Sequence, residues 1–257
     1  MTTNAPPEPR ALRFEAVIFD FSGTLFSAEG VISSAAVARR ARSRGTEVNG
    51  AEAERMCRLI LRAAGSVEGR EILRGCDRSA EAHRAAWTEL ASRVTGATAD
   101  FAEAYHDCLI DPAGWRPFAE SRPTLEALAA AGLRIGVLSN IGWDVRLSFA
   151  RAGLRALVHD FVLSWEHGVV KPEAEIFELA CQRMSSPPDR TLMVGDDPIC
   201  DGGAAHVGIT TYLLPPAAMD PARQALLGVV RLTGGAAPRP APEPQGPRRG
   251  APASPRE

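Results

Sequence analysis

Ala16-Val17-Ile18-Phe19-Asp20-Phe21-Ser22-Gly23-Thr24 is the stretch on which the fold turns. A short apolar run ends in an acid and then in a Gly-containing turn. That pattern reads as a strand buried on both faces, with a carboxylate sent out past its carboxyl end. Working outward, the same pattern recurs at RIGVLSN (134–140), DFVLSW (160–165), TLMVGDD (191–197) and GITTYLL (208–214). Helical segments separate these last four strands. One has Pro123 near its start and Gly132 past its end, and the clearest is EAEIFELACQRM (173–184). Alternating short apolar strands and helices predict an α/β fold with a parallel sheet. In such sheets the side chains for chemistry gather at the carboxyl ends of the strands, where Asp20, Ser139 and Asp196 fall.

Residues 28–113 break the alternation and read as helices only. Met56, Leu59, Ile60 and Ala63 recur at helical spacing, as do Trp87, Leu90, Ala91 and Val94 behind an expected Ser79 N-cap. Phe101, Ala104, Tyr105, Cys108 and Leu109 form a third apolar face. The expectation is an inserted all-helical lid, with a hinge back to the core near Trp115 and Pro117. The expected core is 13–27 with 114–233. Residues 1–12 read as a loose tail. Ten of the 20 prolines fall between Pro215 and Pro255, and residues 234–257 are expected to be disordered.

With 45% hydrophobic residues, a packed core is easily supplied. A formal net charge of −2 gives no sign of a nucleic-acid or membrane-surface binder. Five cysteines without CxxC spacing predict free thiols, and the N-terminal stretch lacks a signal-like apolar run. A cytoplasmic location is the expectation; oligomeric state leaves no signature. The basic residues are 28 Arg and one Lys, Lys171. Where arginine serves, this chain uses arginine, so position 171 calls for a compact ammonium.

Four segments read together as one site: Asp20 with Ser22, Gly23 and Thr24; Ser139 with Asn140; Lys171 before Pro172; and Gly195-Asp196-Asp197 with Asp201 behind it. Clustered carboxylates without His or Cys suit a hard cation, Mg²⁺ above all. The ammonium can neutralise a carboxylate and an anionic substrate group. In order, spacing and strand placement this set resembles the haloacid dehalogenase-like hydrolases. Their motifs are DxDGT, a strand-terminal Ser or Thr, a Lys and a GDxxxxD acidic pair. The resemblance covers residues 14–215 and implies a Rossmann-like core with a helical cap inserted after the first strand.

It also implies a small-molecule substrate and residue roles. Asp20 would be the nucleophile, forming a covalent aspartyl intermediate. Ser139 would hydrogen-bond the transferred group, beside Asn140, and Lys171 would pair with Asp20 and with that group. Mg²⁺ would be held by Asp20, Asp196 and the carbonyl of Ser22, with Asp197 or Asp201 orienting its water. Thr24 would support the nucleophile loop. His83 and Arg84 on a lid helix, and Trp143 after the second motif, are candidate substrate contacts; His106, His159, His167 and His206 show no ligand spacing.

One departure matters: Ser22 stands where the family motif has its second acid. In phosphatase relatives that acid protonates the leaving oxygen, help worth roughly 10²–10⁴-fold. Three expectations follow. The chain is a phosphatase with weakened leaving-group assistance, suited to acyl or aryl phosphates or aided by water or His83. Alternatively it is a metal-free dehalogenase-like hydrolase, although Asp196 and Asp197 then place negative charge beside Asp20. The third is a low-turnover binding or regulatory protein.

Overall fold

The computed structural model describes residues 14–93, 97–216 and 218–234. The expected tail at 1–12 lies outside these residues, as does all but the first residue of the Pro-rich stretch. Strand β1 (Ala16–Phe19) is followed by the two-residue β2 (Phe26–Ser27). Five helices come next: α1 (Ser34–Ser43), α2 (Gly50–Ala64), α3 (Val67–Ile72), α4 (Ala80–Ser92) and α5 (Ala99–Leu109). Strand β3 (Arg116–Pro117) returns the chain, followed by α6 (Ser121–Ala130), β4 (Arg134–Ser139), α7 (Arg146–Arg151) and β5 (Asp160–Leu163). Helices α8 (Ser164–His167) and α9 (Ala174–Met184), strands β6 (Thr191–Gly195) and β7 (Thr210–Leu213), and α10 (Leu226–Leu232) complete the order.

The five long strands form one parallel sheet in the order β5-β4-β1-β6-β7. Alternation along each strand feeds two cores. Val17 and Phe19 of β1 join Ile135, Val137, Leu192 and Val194 against α6, α7 and α10. Ala16 and Ile18 face the other way, with Leu138 and Met193, onto Ile176, Phe177, Ala180 and Met184 of α9. Both faces are covered, which is why these strands carry no polar alternation. Gly136 in β4 is needed for this packing, because a Cβ there would come within 2.9 Å of Met184 Sδ.

The helical insertion has a core of its own. Val37, Met56, Ile60, Ala91, Phe101 and Tyr105 are buried together. Ser79 caps α4 by accepting from Ala82 N at 3.0 Å, as its sequence predicts. The insertion leaves after β2 and rejoins at β3, and these two pair antiparallel, Phe26 with Pro117 and Ser27 with Arg116. A two-residue ribbon has too little length for a period, so the sequence does not show it. Strand β5 is shorter than expected: Ser164 and Trp165 belong to α8, a single turn closed by Gly168 at φ +72°. Helix α10 was not expected either. Among the described residues no helix is long and apolar enough to cross a membrane, and all five cysteines are free thiols.

Candidate active site

The strand order builds the site. β1 lies between β4 and β6, so the residues leaving their carboxyl ends stand side by side. Asp20 is anchored there by its N–H, which donates to Val194 O at 2.9 Å. Its Oδ1 accepts from Lys171 Nζ at 2.7 Å and from Ser139 Oγ at 3.2 Å. Lys171 is buried and donates also to Asp201 Oδ1 at 2.6 Å and Leu138 O at 3.3 Å. Asn140 fixes the lysine's backbone from both sides, accepting from Lys171 N at 2.7 Å and donating to Lys171 O at 2.9 Å. Asp201 is wholly buried, and its Oδ2 accepts from Asp197 N at 2.9 Å.

Two glycines make room for these carboxylates. A Cβ on Gly195 would sit 2.0 Å from Asp201 Oδ2, and one on Gly23 would sit 2.4 Å from Asp196 Oδ2. Gly23 is in the left-handed region at φ +78°, where other L-residues are strained. Thr24 Oγ1 donates to Asp196 Oδ1 at 3.2 Å. The cleft, about 270 Å³, is lined by Asp20, Ser22, Ser139, Asn140, Lys171, Asp196, Asp197, Cys200 and Asp201. The structure thus brings Asp20, Ser22, Ser139, Asn140, Lys171, Asp196, Asp197 and Asp201 of the four sequence segments to one cleft, while Thr24 is linked to it through Asp196.

Burial raises the Asp20 carboxyl to about 6; Lys171 pulls it down, and Asp201 and Asp196 push it up. Burial opposes the charge on Lys171, but Asp20 and Asp201 together outweigh it and hold the ammonium above its ordinary pKa. Asp196 is raised by burial, against the pull of Arg223. Carboxylate oxygens of Asp20, Asp196 and Asp201 lie within 4.8 Å of one another. An all-oxygen donor set of this density fits Mg²⁺ and suits neither a soft nor a nitrogen-seeking metal. Asp197 is exposed, and its Oδ1 accepts from Ile199 N and Cys200 N, both at 2.8 Å. Its side chain caps this turn while its backbone orients Asp201.

Three sequence candidates are placed elsewhere. His83 is buried in the seam between insertion and core, with Nδ1 3.0 Å from His106 Nε2 and its ring 5.2 Å from that of Trp143. A Cβ on Gly142 would lie 2.2 Å from His83 Cβ, so core and insertion touch there. Burial, with His106 beside it, lowers His83 to about 3. Its contacts with His106 and Trp143 are those of a packing residue in this seam. Its spacing from Trp87 and Leu90 (i, i+4, i+7) is the signal that marks it as lid core. Arg84 points to solvent and pairs with Glu103 and Asp107. Trp143 packs on Trp115 at 5.6 Å between centroids and joins the sheet's core.

Two residues carry no sequence signal. Arg223 is wholly buried and donates from Nη2 to Asp196 Oδ2 at 3.2 Å. Asp77, on the single turn Cys76–Arg78, belongs to the lid's docking edge. Its carbonyl accepts from Ser164 Oγ at 2.7 Å, and burial raises its carboxyl to about 6. Arg78 completes that edge, donating to Gly168 O at 2.8 Å and pairing with Glu173.

A five-stranded parallel sheet whose central strand ends carry this cleft defines a Rossmann-like α/β protein with an acidic site. The comparisons narrow the class: residues 14–207 match the family model for haloacid dehalogenase-like hydrolases, and the chain belongs to that family. It is 35% identical over 113 residues to haloacid dehalogenase-like hydrolase domain-containing protein 3 of Danio rerio, covering 43% of this chain and 46% of that protein. It is 36% identical over 102 residues to the glyceraldehyde 3-phosphate phosphatase of Methanothermobacter thermautotrophicus, covering 38% of this chain and 45% of that one. The aligned region thus spans about half the length of these relatives. In fold it is similar to the L-2-haloacid dehalogenase of Xanthobacter autotrophicus, with a TM-score of 0.54 at 21% identity, over 78% of this chain and 77% of that one.

Proposed function

We propose that this chain is a Mg²⁺-dependent phosphatase acting on a small phosphorylated metabolite. The observation that carries the reading is the pairing of buried Lys171 with Asp20 beside the oxygen cluster of Asp196 and Asp201. The phosphatase relative supports a phosphate ester as substrate, and a cleft of about 270 Å³ suits a small one. A cytoplasmic setting and a small-molecule partner belong to the same reading.

Asp20 attacks phosphorus, the bond to the leaving oxygen breaks, and an aspartyl-phosphate forms; water then hydrolyses it and releases phosphate. Ser139 donates its hydroxyl to a phosphoryl oxygen, and Lys171 balances charge on Asp20 and on the transferred group. Asp20, Asp196 and the carbonyl of Ser22 would hold Mg²⁺, which when bound neutralises phosphoryl charge. Asp201 holds Lys171, and Thr24 holds Asp196. Ser22 gives the leaving oxygen no proton at neutral pH, so the reaction favours acyl and aryl phosphates, whose oxyanions leave unprotonated.

The test is phosphate release from acetyl phosphate and p-nitrophenyl phosphate with Mg²⁺ and with chelator. Mg²⁺-dependent release is expected. No release under either condition refutes the reading and leaves a protein that binds without turnover, or other chemistry. Ser22→Asp sharpens the test: kcat/KM should rise about 10–100-fold on an alkyl ester such as glyceraldehyde 3-phosphate, and less on acetyl phosphate. An equal gain on both, or none, argues against the missing-acid account.

One observation favours a second reading. Arg223 places a fixed positive charge on Asp196, so the negative charge beside Asp20 has a counter-charge without a metal. A metal-free dehalogenase-like hydrolase, in which halide leaves without a proton, is consistent with this and with Ser22. Halide release from 2-haloacids in chelator decides for it.

A further inference from the structure

Arg223 reaches the site from the chain between β7 and α10. Its backbone is left-handed, at φ 55°, a region strained for a residue with a side chain. The turn around it is closely tied. Arg223 N donates to Asp220 O at 3.0 Å, and the Asp220 carboxylate accepts from Gln224 N and Ala225 N at 3.0 and 2.8 Å. The guanidinium lies over the Phe118 ring, 5.3 Å from its centroid, and Nη1 donates to Pro215 O. The remaining contact is Nη2 to Asp196 Oδ2 at 3.2 Å.

A buried guanidinium demands a carboxylate partner, and among the described residues the one it pairs with is Asp196. Lys171 already serves Asp20 and Asp201. Each carboxylate of the cluster therefore has a built-in cation. A divalent ion entering the cluster meets the Arg223 charge and an Asp196 whose two oxygens are engaged, one by Thr24 and one by Arg223.

We propose that Arg223 is a positioning residue, a tethered counter-charge that holds Asp196 and is loosened from it when a divalent cation binds. It thereby lowers the cation affinity of the site and couples the 220–232 segment to its occupancy. This rests on the metal-dependent reading above, and its test reads binding rather than turnover.

The probe is Mn²⁺, titrated by electron paramagnetic resonance into the full chain, with Mg²⁺ as competitor. Arg223→Met removes the charge and keeps an apolar stem over Phe118. It should bind Mn²⁺ about tenfold or more tighter than the parent, while Arg223→Lys stays near the parent value. Unchanged or weaker binding by Arg223→Met, with the parent binding Mn²⁺, overturns this proposal and leaves the metal-dependent reading standing. Binding by neither protein overturns both. Binding by Arg223→Met alone supports the proposal in its strongest form. Hydrogen exchange on the unaltered chain covers the case in which the variant does not fold: Mg²⁺ should speed exchange in peptides spanning 220–232, and no change overturns the coupling.

Discussion

Asp20→Asn should abolish turnover, by at least ~10⁴-fold in kcat, while the protein stays folded. Asparagine keeps the size of the side chain and an oxygen that can accept from Ser139 and Lys171, but its amide cannot attack phosphorus. Stability should change by no more than about 1–2 kcal/mol. The carboxylate's burial and its neighbours Asp201 and Asp196 work against ionised Asp20, offsetting what Lys171 contributes. Steady-state assay beside thermal unfolding separates the two effects. A variant that still turns over with a native Tm removes Asp20 from the chemistry.

Lys171→Met should lose both activity and stability. Methionine approximates the length of the stem and supplies no charge, so Asp20 and Asp201 are left buried without the cation they now share at 2.7 and 2.6 Å. Removing one partner of a buried ion pair costs about 3–5 kcal/mol. For a chain of this size that is a fall in Tm of roughly 6–20 °C. Added Mg²⁺ should recover part of the loss, because it returns positive charge to the same carboxylates. Thermal unfolding with and without Mg²⁺ is the measurement. An unchanged Tm would mean that Lys171 carries no structural charge balance and that its lone occurrence has another cause.

The core of the site was legible because its chemistry coincides with strong local signals. Asp20, Ser139 and Asp196 each end an apolar run, and a parallel sheet places such ends on one edge whatever the loops do. Lys171 stood out by being the sole lysine. The lid helices were legible from their 3.6-residue period, and Ser79 from its place before one of them. What failed was the assignment of faces and partners. His83 and Trp143 looked available to a substrate, yet both serve the seam where lid meets core, and Arg84 turns to solvent. A polar residue on a helix says little about which neighbour covers it.

Arg223 marks the limit more sharply. It is one of 28 arginines, in a segment without periodicity, and neither its left-handed backbone nor its distance from Asp196 leaves a trace in local sequence. The sequence by itself determined the parallel α/β core, the order of the segments that meet at the site and its carboxylate-lysine composition, because strand period and residue type are local properties. The tertiary structure alone decided which charges share a partner, which glycines make room for them, and that an arginine from beyond the last strand closes on Asp196. Those outcomes depend on distances between residues far apart in the chain, which only the packed sheet and its helices set.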